Sequence, residues 1–282
     1  MSILRFAYAI AAPTAILRHA ALLITAALIL IPFVWMVSLS IKPPAEIFGA
    51  SFSFWPQQFY GIENYTEALT KAPLLRYMLN GVLVCAMILS LQIAVCTPAA
   101  YALAKLEFPG RNLLFALVLI ALLLPHEVLA LPLFILGYKI GILNTYAALV
   151  FPYVVSPFGI FLFRQFFKTI PDDIVHAARL DGFSELAIVW RIVVPMALPA
   201  IIAFSIFSVV GNWNSLFWPL IAVREQSLMP PPLGLMAFKN EDTGIDYGPL
   251  MAGSTIVVAP LVIVFLFAQR WFIGGLTSGG IK

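Results

Sequence analysis

Pro171-Asp-Asp-Ile-Val-His-Ala-Ala-Arg-Leu-Asp-Gly-Phe-Ser-Glu185, closing at Ile192-Val-Val-Pro195 and Pro199, decides how this chain is read. It is the one long polar interruption, flanked by basic residues, in a sequence that is otherwise mostly hydrocarbon. Pro171 suits the first position of a helix, where its missing N–H costs nothing. Asp172 and Asp173 then fall in the first turn, where negative charge complements the helix dipole. Gly182 is a natural stop after Leu180, because glycine takes the left-handed conformation cheaply, and Ser184 can cap a second short helix. Ala177 and Ala178 leave part of the first helix with little side-chain bulk, so a groove elsewhere can close around it. The expected result is a knob between two membrane spans, placed where another protein could push on it. The competing reading is an amphipathic linker lying on the membrane surface.

Composition supports the membrane setting. The 282 residues are 62% hydrophobic and 10% charged, with mean hydropathy +1.00, whereas charged residues make up about a quarter of a soluble domain. Apolar runs reach the roughly 20 residues that a bilayer crossing requires. Six spans are expected, at about 20–41, 78–103, 112–134, 146–166, 195–219 and 249–269, forming one all-α membrane domain with the coupling loop at 167–194. Arg5 and Arg18 before an apolar run resemble a signal peptide. The run from Ala20 to Ile41 is longer than a signal core and no small-x-small site follows, so it is expected to be retained. Cys85 and Cys96 fall eleven residues apart in one span, about 16 Å on a helix and too far for a disulfide. Both are read as packing residues.

Orientation follows from the loop cations. One side carries Arg5, Arg18, Lys105, Arg111, Arg164, Lys168, Arg179, Arg191, Arg270 and Lys282, and the other Lys42, Lys71, Arg76, Lys139, Arg224 and Lys239. The excess puts both termini and the 167–194 loop in the cytoplasm, and the 42–77 and 220–248 loops outside. The 42–77 loop, with Trp55, Tyr60 and Tyr65, is expected to cap the outer face. The 220–248 loop holds Arg224, Glu225, Lys239, Glu241, Asp242 and Asp246 around Met229-Pro-Pro-Pro232. It reads either as a docking surface for a soluble protein or as a solvated connector.

Segment 171–199 resembles the cytoplasmic loop of permease subunits in binding-protein-dependent ABC importers. The family pattern Glu-Ala-Ala, Asp-Gly and Ile-x-Leu-Pro is met here by His176-Ala177-Ala178, Asp181-Gly182 and Ile192-Val193-Val194-Pro195. His176 stands where the family usually has glutamate. Either its partner on the ATPase differs, or Asp173, one turn earlier, substitutes. Ala102-Leu-Ala-Lys-Leu-Glu-Phe-Pro-Gly-Arg111, Gly141-Ile-Leu-Asn-Thr-Tyr146 and the tail Arg270-Trp-Phe-Ile-Gly-Gly-Leu-Thr-Ser-Gly-Gly-Ile-Lys282 are similar to the carbohydrate-uptake group, and in particular to the smaller permease of maltose-type systems. The resemblance implies a type I ABC importer permease fold in a bacterial inner membrane. It also implies a second homologous permease, two ATPase subunits and an external solute-binding protein. Asp173, His176, Ala177, Ala178, Asp181 and Gly182 are then the residues expected to meet the ATPase.

No G-x-x-x-x-G-K-[ST] phosphate loop occurs. ATP and Mg are therefore expected on the partner ATPases, with no cofactor on this chain. Three scattered histidines make no metal site, no nucleophile-base-acid arrangement suggests hydrolysis, and no nucleic-acid partner is expected. Polar residues inside spans are costly and often functional. Asn80, Asn212, Trp213 and Asn214 fit either sugar contacts or helix–helix bonding with interfacial anchoring. His126-Glu127 is the adjacent ionisable pair in the body of a span, about 22 Å above Arg111, between Pro125 and Pro132 that are expected to break the helix. Glu127 faces either the translocation cavity or the partner permease, or else it sits at interface depth and reaches headgroups or water. The reading is a permease subunit moving a sugar or sugar-like solute. The alternative is a stand-alone secondary transporter or channel, against which stand the scarcity of mid-membrane charge and the absence of an evident internal repeat.

Overall fold

The computed structural model describes the backbone of residues 3–49, 53–240 and 244–278, and the side chains of 16–49, 53–125, 127–239 and 245–267. Arg5, His126, Glu241, Asp242, Arg270 and Lys282, all used in the sequence reading, have side chains outside that range. The helices used below are α1 (Ile3–Ser40), α2 (Gly61–Lys71), α3 (Leu74–Lys105), α4 (Arg111–Leu123), α5 (Ala130–Lys139), α6 (Pro157–Phe167), α7 (Asp172–Leu180), α8 (Leu198–Trp213), α9 (Phe217–Ala222) and α10 (Tyr247–Ser278).

Among the described residues, three helical stretches, Ile16–Ser40, Leu74–Lys105 and Tyr247–Phe267, are each long and apolar enough to cross a bilayer. Three more reach that length only as bent pairs: Arg111–Leu123 with Glu127–Lys139 at 96°, Tyr146–Tyr153 with Pro157–Phe167 at 43°, and Glu185–Met196 with Leu198–Trp213 at 84°. Each bend has a local cause. Pro125 is extended (φ −66°, ψ 136°) and is followed by a tight 3₁₀ turn, His126–Leu129. Pro132 causes no break, because it lies in the first turn of α5, where helix amides lack intrahelical acceptors. Pro157 starts α6, and the Ser156 hydroxyl accepts the Gly159 amide at 3.1 Å. Ala197 (φ −94°, ψ 11°) leaves the helical region just before Leu198-Pro199.

The apolar run expected to continue from 195 to 219 is divided in the same way. α8 stops at Trp213, and α9 begins at Phe217 after a turn. The side-chain amides of Asn212 and Asn214 donate back to the carbonyls of Ser208 and Val210, each at 2.8 Å. Such back-bonding competes with the continuing helical ladder.

The chain forms two compact units, Met1–Lys71 with Phe238–Ile256 and Ala72–Ala237 with Val257–Lys282. In the first, Lys42 is buried at 2% exposure; its ammonium lies 4.9 Å from the Trp35 ring centroid and donates to the Ser53 carbonyl. Asn64 of α2 donates to the carbonyls of Ser40 and Lys42 at 3.0 and 2.9 Å, satisfying the end of α1. Lys71 pairs with Asp246. Among the described residues the expected all-α fold carries one small exception, a ladder pairing Lys239 with Ile245 and Asn240 with Gly244.

In the second unit α3 packs chiefly on α6 and α8. Cys96, Tyr101, Phe163, Phe167, Val175, Ile188 and Phe204 form one buried cluster. Val84, Ile88, Leu149, Trp218 and Ala222 form another. Cys96 does more than pack, since its sulfur accepts the Ser156 amide at 3.3 Å beside the start of α6. Gly234 lies against the Tyr77 ring so closely that an added Cβ would meet it at 2.1 Å. Gly234→Val should therefore overpack the contact, costing about 1–3 kcal/mol. The expected readout is a lower melting temperature of the detergent-purified chain, and an unchanged melting curve would contradict this packing.

Candidate functional site

The polar segment folds as its residues dictate. α7 runs from Asp172 to Leu180, with Pro171 immediately before it, one position earlier than expected. Gly182 has φ +84°, the left-handed region, and nothing lies within 4 Å of a Cβ placed there. Ser184 caps the next turn, its hydroxyl accepting the Ala187 amide at 3.3 Å. Val175 and Ala178 turn into the cluster with Phe163, Phe167 and Ile188. Ala178 is thus part of the core, and Ala177 alone of the two alanines is exposed, alongside Asp173, His176, Asp181 and Gly182.

Charges fasten both ends of α7. Lys105, whose side chain is 4% exposed, donates to the Asp172 carboxylate at 2.6 Å and to the Ile170 carbonyl. Across the glycine turn, Arg179 Nε donates to Glu185 Oε1 at 2.8 Å and Nη2 to Oε2 at 3.3 Å. Tyr101 of α3 donates its hydroxyl to the same Oε2 at 2.6 Å. The Arg179 hydrogen bond holds the Glu185 carboxyl below its ordinary range, against the opposing effect of burial. The Lys105 hydrogen bond does the same for Asp172. Sequence reading missed this clasp; the signal available was a Glu in the first turn of the second helix, six residues after an Arg. Also missed was Leu180, which is 89% exposed. Leu180 thus adds an apolar contact point to the exposed face of α7.

The second feature is a cavity of about 560 Å³ between α3, α6, α8 and the 3₁₀ turn after α4. Glu127, Asn212 and Asn214 line it, as does Trp218. Asn80 and Trp213, expected beside them, do not. Asn80 is buried, donating to the carbonyls of Ser227 and Met229 and accepting from the Tyr146 hydroxyl at 2.7 Å. It ties α3 to the 226–229 turn. Trp213 is likewise buried and donates to the Val257 carbonyl at 3.1 Å. The cavity instead gains Gln92 and Ser208. Ser208 donates to Gln92 Oε1 at 2.5 Å, Gln92 donates to the Tyr153 carbonyl at 2.8 Å, and Asn212 donates to Ser208. A lone Gln inside an apolar run was the signal that could have found this network.

The clasp predicts a pH dependence. Because the folded Glu185 carboxyl ionises at lower pH than an unfolded one, its contribution is complete above the unfolded value of 4.5. It is lost as pH falls below that value through the folded pKa. Thermal unfolding of the purified chain should show a fall in melting temperature between about pH 5 and pH 3, smaller in Glu185→Gln than in the parent. Equal falls in both would contradict the clasp.

Comparison with known proteins agrees with this geometry. The family model described as "Binding-protein-dependent transport system inner membrane component" matches residues 96–277, well over half of the chain. The arabinooligosaccharides transport system permease protein AraQ of Halalkalibacterium halodurans is 36% identical over 254 residues, covering 89% of this chain and 90% of that one. The diacetylchitobiose uptake system permease protein NgcG of Streptomyces coelicolor is 32% identical, covering 95% and 89%. Among solved structures, a chain of a bacterial ABC transporter involved in the import of the acidic polysaccharide alginate superposes with a TM-score of 0.80 at 22% identity, covering 92% of this chain and 96% of that one. The fold is thus that of an ABC importer permease, and the stand-alone carrier reading is not favoured. The chain belongs to the family of binding-protein-dependent transport system inner membrane components.

Proposed function

We propose that this permease forms half of the path for a sugar or sugar-like solute (an oligosaccharide, glycoside, polyol or glycerol derivative) handed over by an external binding protein. A second, homologous permease completes the path and two ATPase subunits drive it. ATP and Mg belong to those subunits, and this chain itself is non-catalytic. Its six spans are the three long helices and the three bent pairs, the last pair entering the bilayer only after the 167–194 loop, and they leave both termini and α7 on the cytoplasmic side, as the loop cations indicate. The names of the similar permeases support the sugar reading. So does a cavity that combines side-chain amides, hydroxyls and the Trp218 ring, since amides bond sugar hydroxyls and an aromatic face covers the apolar side of a ring.

The observation that carries the coupling role is α7 itself. Its inner face is locked into the core and its ends are clasped, while Leu180 stands bare beside exposed Ala177, His176 and Asp173. A helix fastened this way transmits a push to α3 and α6 instead of absorbing it. Asp181 and Gly182 form the turn that presents Leu180.

Gly182→Val tests this. A β-branched residue at φ +84° costs about 1–2 kcal/mol and reshapes the turn without touching the cavity. In reconstituted vesicles, ATP hydrolysis should persist while solute accumulation falls by about an order of magnitude. Normal accumulation would refute the coupling role.

A further inference from the structure

The charge inside the cavity has a consequence for what can pass. Among the described lining residues there is one carboxylate, Glu127, and no Lys or Arg. No described Lys or Arg pairs with Glu127. The remaining polar lining is neutral: Gln92, Tyr153, Asn212, Asn214 and the three serines Ser156, Ser208 and Ser215, with the Trp218 indole. Asn212 and Asn214 spend their N–H groups on α8 carbonyls. Their side-chain oxygens have no protein partner among the described residues and remain as acceptors, which suits a solute that arrives as a donor of hydroxyl hydrogens.

We propose that this cavity selects by charge, with Glu127 as its specificity-determining residue: it admits uncharged or cationic polyhydroxylated solutes and repels anionic ones such as uronates and phosphate esters. The physical reason is the field of one carboxylate, exposed and unpaired with any described Lys or Arg, at a cavity partly walled by Phe158, Phe204, Phe207 and Phe217, whose apolar surfaces strengthen Coulomb interaction over its value in bulk water. An anionic solute would meet that repulsion with no Lys or Arg among the described lining residues to offset it. The inference rests on the cavity being part of the transport path.

The test uses the assembled importer in lipid nanodiscs, with Ser215→Cys as a reporter on the cavity wall. Both native cysteines are buried, so the introduced thiol is the one available on this chain. Its modification rates with small cationic and anionic thiosulfonates, normalised to a free thiol, are compared with and without Glu127→Gln. The cation-to-anion rate ratio should fall about tenfold on that substitution. Maltotriose should slow labelling in the parent, and trigalacturonate should do so only once Glu127 is neutralised.

A rate ratio indifferent to Glu127→Gln overturns the proposal, as does equal protection by trigalacturonate in the parent. Should Ser215→Cys fail to assemble, Asn214→Cys reports from the same wall, and absence of labelling at both overturns it too. A ratio that shifts while neither saccharide protects supports the charge inference and refutes the sugar reading, so the two are separable.

Discussion

Everything about this permease's polar knob depends on its being unable to move independently of the membrane helices. Val175 and Ala178 are immersed among Phe163, Phe167 and Ile188, and that burial supplies the bulk of the anchoring. The ion pairs add direction more than energy. An exposed pair contributes about 0–1 kcal/mol, but Lys105 is buried along its side chain while its carboxylate partner stays in water. Tyr101 and Arg179 converge on one carboxylate from two helices. The result is a short helix whose position is determined by α3 and α6 together.

The same logic of satisfied polar groups organises the cavity. Gln92, Ser208 and Asn212 would each be costly alone inside apolar helices. Bonded to one another and to the Tyr153 carbonyl, they join α3, α8 and the turn before α6. The bends at Pro125 and Pro157 border the same space as this network, and the bend at Ala197 lies away from it. Backbone that leaves the helix inside a membrane is tolerated where it lines a cavity, and two of these three breaks, at Pro125 and Pro157, do so.

Much of this was legible in the residues. Gly182 and Ser184 announced a turn and a cap, and both act as their chemistry requires, because local backbone preference decides such positions. Pro125 announced a break for a similar reason. Other features were not readable because they depend on partners distant in sequence. Asn80 and Asn212 look equivalent in an apolar run, yet one is consumed by the 226–229 turn and the other faces open space. Ala177 and Ala178 look interchangeable, but a rotation of about 100° per residue sends one outward and the other into the core. Lys42 looks like a loop cation and is instead packed beneath Trp35, a placement that snorkelling side chains permit.

The proposed coupling role requires that α7 face the cell interior and dock there on a separate ATPase. Leu180→Cys, with its thiol replacing the bare leucine, measures this directly through maleimide labelling in oriented membrane vesicles. The account predicts labelling in inverted vesicles only, and only after the ATPase subunits have been stripped away. Labelling in right-side-out vesicles, or labelling in inverted vesicles that is indifferent to the ATPase, would contradict it.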